Sequence, residues 1–441
     1  MNEGLFLAAL IAAAPAGPAR VPPAGSQTLT LRAAVERALE RSPEVALARA
    51  ATEEAEAGVS VLGSDRKPQF LVNTTPGWST GAPLSVAGEV PAAAGARLRM
   101  TLYDPLERSD EFQGQARVAA AKGTLAETRV DVARRTAAVC AKLSADEARV
   151  GSARRRVSAR EAILLRERAL AREGRRTELD VERAALEEAR AREKLYAAES
   201  DRDLDRHELA SLAGLPAEAP FVLAGDPEES IPEPESGDVV ALALARDRQL
   251  QSLSEQADVL ERSSKLLSQA FKPAINAEAR YAFVPNAFGY DKYYLNFQEN
   301  VASVGVSIVL PVLTGGRETA RAAQSRAQLE QLRAQRHVRE QDLSTEVRRA
   351  EALLARAGLE AGVARRAVAV AEGGVAQQQA LAREGRGEAD GVDSAQIALA
   401  EAEEELAGAR RDQLDGRLRL LALQGELLSA LGVGPAPAPG P

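Results

Sequence analysis

The residues able to do chemistry in this sequence are few, and their spacing argues against catalysis. The single cysteine, Cys140, allows no internal disulfide or thiolate metal cluster, and the two histidines, His207 and His337, stand isolated in charged helical sequence. There is no phosphate loop, metal-ligand spacing or nucleophile–base constellation, so no enzymatic activity and no cofactor are expected. The charged residues that do form patterns are of another kind. Arg97 and Arg99 alternate with Leu98 and Met100, and Glu278 and Arg280 alternate with Ala277, Ala279 and Tyr281. Successive side chains of a strand point to opposite faces, so these charges share one face and suit a water-filled lumen. A second pattern surrounds two glycines: Gly174, Arg175, Arg176 and Asp180, then Gly385 and Arg386 with Asp390 and Asp393 close behind.

The elements that must position these groups follow from the prolines. None occurs between Pro105 and Pro216 or between Pro311 and Pro435. An interior proline removes a hydrogen bond and clashes with the preceding turn, so two such stretches predict long helices. Each is broken by glycine, at tips 173–180 and 384–393, into a helical hairpin. The ascending arms, Leu106 to Arg172 and Arg317 to Arg383, reach about 100 Å at about 1.5 Å per residue. The returning arms, Asp180 to Ala213 and Asp393 to Leu431, are much shorter. Helices over Leu31 to Val61 and Asp238 to Ala270 are expected to stack on them end to end. Apolar spacings such as Leu414, Leu418, Leu421 and Leu428 fit lateral helix packing, with Arg and Glu on the other faces.

The chain is also a duplication. Lys67-Pro68 returns as Lys272-Pro273, 205 positions on, and Ala171 to Arg175 returns as Ala382 to Arg386, 211 positions on. Glu208 to Gly214 resembles Glu426 to Gly432, a shift of 218. A period this long excludes solenoid repeats and predicts two large pseudo-symmetric units. They span 27–215 and 237–432, with a Pro-rich linker at 216–236 and a disordered tail at 433–441.

Each unit carries a pair of two-faced strands, about 69–76 with 96–103 and about 274–284 with 302–310. The single Trp and most of the Tyr and Phe lie in or beside them, as with Trp78, Tyr281 and Phe283. Aromatics flanking an apolar band, opposite a charged face, mark a transmembrane β-barrel. Single-chain barrels begin at about eight strands, and an open edge in lipid leaves backbone groups unpaired, so several subunits must share one barrel. The connectors Gly77 to Gly95 and Pro285 to Ala302 would be its external loops.

Composition agrees. Aromatics are only 3% of 441 residues, as in proteins of long helices packed through small side chains. The net charge of −8 gives no reason to expect nucleic acid. Residues 1–26 read as a signal peptide and leader, with an apolar core from Leu5 to Ala14 but no positive start. No other apolar run approaches the roughly 20 residues of a membrane-spanning helix.

Two segments carry a family resemblance. Leu29 to Glu44 (LTLRAAVERALERSPE) resembles the opening helix of the TolC family of outer-membrane efflux proteins, and Val304 to Arg317 (VGVSIVLPVLTGGR) resembles its last strand and turn into a long helix. The resemblance implies a mainly α fold with a small β part. In it a homotrimer contributes four strands per subunit to one β-barrel, continuous with a periplasmic α-helical barrel. It implies an outer-membrane exit duct in a Gram-negative bacterium, docking through a periplasmic adaptor to an inner-membrane transporter. The adaptor contact is expected at the tips, through Gly174, Arg175, Arg176, Asp180, Gly385 and Arg386, whose charges are expected unpaired. Asp390 and Asp393 are the acids expected to gate the tunnel; counted from the glycine, the position of Asp180 falls on Gly391. The family's gate arginine has no match at Gly387, and no lipid-anchoring cysteine follows the leader. The alternative reading is a soluble coiled-coil scaffold with small β-inserts.

Overall fold

The computed structural model describes residues 27–74, 94–216, 220–235, 237–268, 273–284, 296, 298–311, 315–388 and 390–434. The leader, residues 435–441 and most of both strand connectors, with Trp78, Phe288, Tyr290, Tyr293 and Tyr294, lie outside them. The first copy runs β1 (Gln27–Thr30), α1 (Leu31–Arg41), α2 (Pro43–Leu62), β2 (Gln69–Asn73), β3 (Ala94–Tyr103), α3 (Pro105–Arg172) and α4 (Glu178–Leu212). After β4 (Phe221–Ala224) and α5 (Pro227–Ser230), the second runs α6 (Val239–Arg246), α7 (Arg248–Leu267), β5 (Ala274–Phe283), β6 (Asn300–Val309), α8 (Arg317–Arg383), α9 (Gly391–Leu423) and α10 (Leu427–Ala430).

The helix expected before each strand pair is two helices, and the break has the same cause in both copies. Ser42 ends α1 with its N–H on Ala38 O and starts α2, its hydroxyl accepting from Val45 N with Pro43 in the first turn. Asp247 does the same between α6 and α7, accepting from Leu250 N at 2.7 Å. A capping side chain satisfies amides that a continuous helix would pair internally, so each break is encoded locally. The long helix α3 opens on Asp104, which accepts from Leu106 N and Glu107 N ahead of Pro105, and it runs 68 residues, about 100 Å. Its partner α8 runs 67 residues.

Packing repeats the duplication. In one core Ala34, Ala38 and Val45 meet Val132 and Leu209; in the other Val239, Ala243 and Leu250 meet Leu343 and Leu420. The first three pairs are related by the shift of 205 and the last two by 211. Leu209 therefore corresponds to Leu420, which corrects the shift of 218 at the C-terminal edge. The glycines agree. Gly214 (φ +62°) lies against Arg41, whose Nη1 donates to Gly214 O at 2.9 Å, and Gly425 (φ +73°) lies against Arg246, the residue equivalent to Arg41. Gly425 also ends the second returning arm, which stops at Leu423 instead of continuing to Leu431.

The Pro-rich stretch 216–236 carries structure of its own. Its β4 pairs in parallel with β1, and Phe221 and Ile231 are buried in the larger core with Leu143 and Leu418. Long α3 packs against α2, α4, α7 and α9, and α8 packs against α7 and α9.

Candidate functional site

The four longer strands make one antiparallel sheet in the order β2-β3-β5-β6, so β3 of the first copy pairs with β5 of the second. Register decides what meets on each face. Leu98 lies opposite Phe70 and Ala279, and Ala279 opposite Val304; Ala277 lies opposite Met100 and Val306. This face bears no charge and is open: Val304 is 88% exposed, Phe70 69% and Ile308 68%. Both edges, β2 and β6, lack a partner strand among the described residues.

The other face gathers all four charged strand residues. Arg97 lies opposite Arg280, and Arg99 opposite Glu278. Like charges opposite each other are destabilising, and Glu278 mediates, its Oε1 lying 3.0 Å from Arg97 Nε and 3.7 Å from Arg280 Nε. Arg99 donates to Gln69 Oε1 at 3.1 Å and lies 3.7 Å from Asp65. Ser303, Gly305, Ser307, Asn276 and Thr101 complete a polar surface, interrupted by Leu71 and, near its ends, by Val301 and Val309.

At the hairpin tips, Gly174 (φ +73°) and Gly385 (φ +70°) end the long helices in the same way. Arg175 N donates to Leu170 O and Arg386 N to Leu381 O, both at 2.9 Å, the left-handed cap that glycine adopts at least cost. The tip charges are not unpaired, as the sequence suggested. Arg175 lies 3.5 Å from Glu173, Arg176 3.2 Å from Glu167, and Arg386 3.5 Å from Glu384. Helix–turn geometry brings in acids two to nine residues away, which a linear reading of charges overlooks.

The acids divide by their role at a helix start. Asp180 is the third residue of α4 and forms a capping box with Thr177: it accepts from Thr177 Oγ1 at 2.7 Å and Thr177 N at 3.0 Å. Those hydrogen bonds, the side-chain one first, hold its carboxyl below the usual range. Asp393 is the third residue of α9, so counted from the helix start it is the counterpart of Asp180, a position that counting from glycine gave to Gly391. No side chain caps α9. Instead Asp390 and Asp393 both bind Arg166 of α3, Asp393 at 2.8 Å. Burial acts to lower the Arg166 pKa, but the hydrogen bonds from Asp393 and Asp390 outweigh it and raise the value. The clamp thus joins the first copy's long helix to the second copy's returning helix.

Arg166 had no local signal in the sequence, and the shift of 211 puts Gln377 at its equivalent, so this arginine is not repeated in the second copy. The same α3–α9 seam continues through Arg155–Glu403 and Arg156–Glu404. Along the α3–α4 seam, Lys142 Nζ meets Asp205 at 2.7 Å and Arg154 meets Glu199 at 2.6 Å. These Arg, Lys and Glu residues on the polar helix faces are therefore helix-to-helix contacts. Asp146 and Asp205 are both buried there, and one oxygen of each carboxyl has no hydrogen-bond partner. Burial, then the neighbouring Asp205 carboxyl, pushes Asp146 up to about 6 against the pull of Arg149.

A two-faced sheet continuous with two hairpins about 100 Å long, built as an internal duplication, is the fold of the TolC-like outer-membrane channels. No protein-family model and no curated protein sequence matches the chain. Among solved structures it is similar to the outer membrane protein VceC from Vibrio cholerae, with a TM-score of 0.69 and 17% identity over 90% of this chain and 96% of that one. It is likewise similar to the open state of the MtrE outer membrane channel of Neisseria gonorrhoeae (0.70; 18%; 90% and 89%) and to the CmeC outer membrane channel of Campylobacter jejuni (0.70; 14%; 90% and 86%).

Proposed function

We propose that the chain is an outer-membrane exit duct: a non-catalytic homotrimer whose shared barrel opens into a periplasmic tunnel of helices. The observation that carries this reading is the sheet. Its exposed face is apolar without interruption by charge, its opposite face is polar and charged, and both edges are open among the described residues. In water such a face is an aggregation hazard; in lipid it is what a barrel requires. The ten-residue strands β3, β5 and β6, each about 34 Å long and tilted by about 40°, cover about 26 Å of hydrocarbon. This disfavours a soluble coiled-coil scaffold.

The internal pairing supplies the rule for closure. The second strand of one copy, β3, pairs with the first strand of the next, β5; β6 of one chain then pairs with β2 of its neighbour, and repetition around a closed axis removes the edges. The helices carry a matching surface. On α8, Leu359, Val363 and Val370 are exposed on one stripe, and on α4, Leu186 and Leu204; these are the seams between subunits. The trimer docks at its tips with a periplasmic adaptor and, through it, an inner-membrane transporter. Arg175 and Arg386, whose ion pairs are exposed and therefore weak, are free to exchange partners there, and Arg176, paired with the buried Glu167, presents a half-exposed guanidinium beside them. Membrane fractionation of cells expressing the chain tests the reading. Detergent-stable trimers in the outer membrane are expected, and a soluble monomeric pool would refute it.

A further inference from the structure

We infer that the barrel lumen is an anion-selective girdle, favouring solutes that carry carboxylate or phosphate groups; the inference rests on the channel reading above. On the polar face Arg97, Arg99 and Arg280 stand against Glu278 alone among the strand residues, a surplus of two positive charges per chain. They occupy two neighbouring rows, Gln69–Arg99–Glu278–Gly305 and Leu71–Arg97–Arg280–Ser303, separated by about 7 Å along the strands. Outside these rows the described polar face carries only neutral residues, such as Asn73, Thr101, Asn276 and Ser307. Closing three copies around an axis gathers this surplus into one band.

The strands do not neutralise the band by themselves. One carboxylate, Glu278, serves both Arg97 and Arg280. Arg99 turns from its register partner Glu278 to the neutral amide of Gln69, with Asp65 outside the strands at 3.7 Å. The side chains of Arg97, Arg99 and Arg280 remain 43%, 57% and 47% exposed. Packing does not require the direct opposition of Arg97 and Arg280, which costs stability. A ring of guanidinium groups in a low-dielectric wall concentrates anions and forms paired hydrogen bonds to carboxylate or phosphate oxygens.

The test is the reversal potential of purified trimers in planar bilayers under a KCl gradient at low ionic strength, where screening is least. Replacing the girdle (R97Q/R99Q/R280Q) should lower the chloride-to-potassium permeability ratio about threefold or more, and E278Q should raise it. Both shifts are read against wild type, so a charged constriction elsewhere in the path does not mask them. Conducting channels whose ratio is unmoved in both variants would overturn the girdle. A wild-type chain that forms no channel at all would instead overturn the duct.

Discussion

Removal of the Arg166 guanidinium isolates the clamp at the tips. In R166Q, Asp390 and Asp393 lose the cation that bridges them and face each other as like charges at the start of α9. The side chains are partly enclosed, 32% exposed for Arg166 and 16% for Asp393, so each contact exceeds a fully exposed pair and falls short of a buried one. Two such contacts amount to about 2 kcal/mol per chain, about a thirtyfold change in the local equilibrium between joined and parted helices. If the clamp holds the tip shut, R166Q should raise the open probability of trimers in planar bilayers by about that factor per subunit. D390N/D393N should do the same, and combining all three should add little, because each removes the same interaction. An open probability within about threefold of wild type for R166Q, with intact trimers, or full additivity in the combined variant, would refute the reasoning.

Three further outcomes are expected. Asp146 is raised in the fold from 3.8 to about 6, so its ionisation removes stability as pH climbs from about 4 to about 6; D146N should be more stable than wild type by about 2 to 3 kcal/mol at pH 7.5 and equal to it near pH 4, read by urea unfolding of the detergent-solubilised trimer, and a less stable D146N at pH 7.5 would contradict this. On the apolar face, V306R places arginine in the bilayer at about 2 to 4 kcal/mol per chain and should deplete outer-membrane trimer, whereas S307R on the polar face should be tolerated; equal amounts of both proteins would argue against the assigned faces. Reversing charge at the tips (R175E/R176E/R386E) should abolish adaptor crosslinking and export while leaving trimer and conductance intact, and unchanged export would remove the tips as the docking surface.

Much of the local structure was legible in the chain. Alternation around Arg97 and Glu278, the two proline-free stretches and the turns at Gly174 and Gly385 each report a backbone state through neighbours only a few residues away. Some local errors came from choosing the wrong landmark. Asp393 is equivalent to Asp180 by helix position and not by distance from glycine, and Glu426 to Gly432 imitates an edge that belongs to Gly425. The division of the opening helices is also encoded locally, in Ser42-Pro43 and Asp247, where capping overrides apolar periodicity.

By itself the sequence determined the duplication, the element types and the two faces of each strand, because hydrogen-bonding period and side-chain alternation are set within a few residues. Tertiary structure alone decided which charges meet. Arg97 faces Arg280 because strand register is chosen by all the paired strands together, and Arg166 reaches Asp393 because α3 and α9 lie side by side although 227 residues separate the two. Such pairs leave no mark on their own surroundings in the chain. They arise only when packing of the apolar seams has fixed one long helix against another, which then determines whether an arginine at a given turn meets solvent, a helix cap or an acid from the other copy.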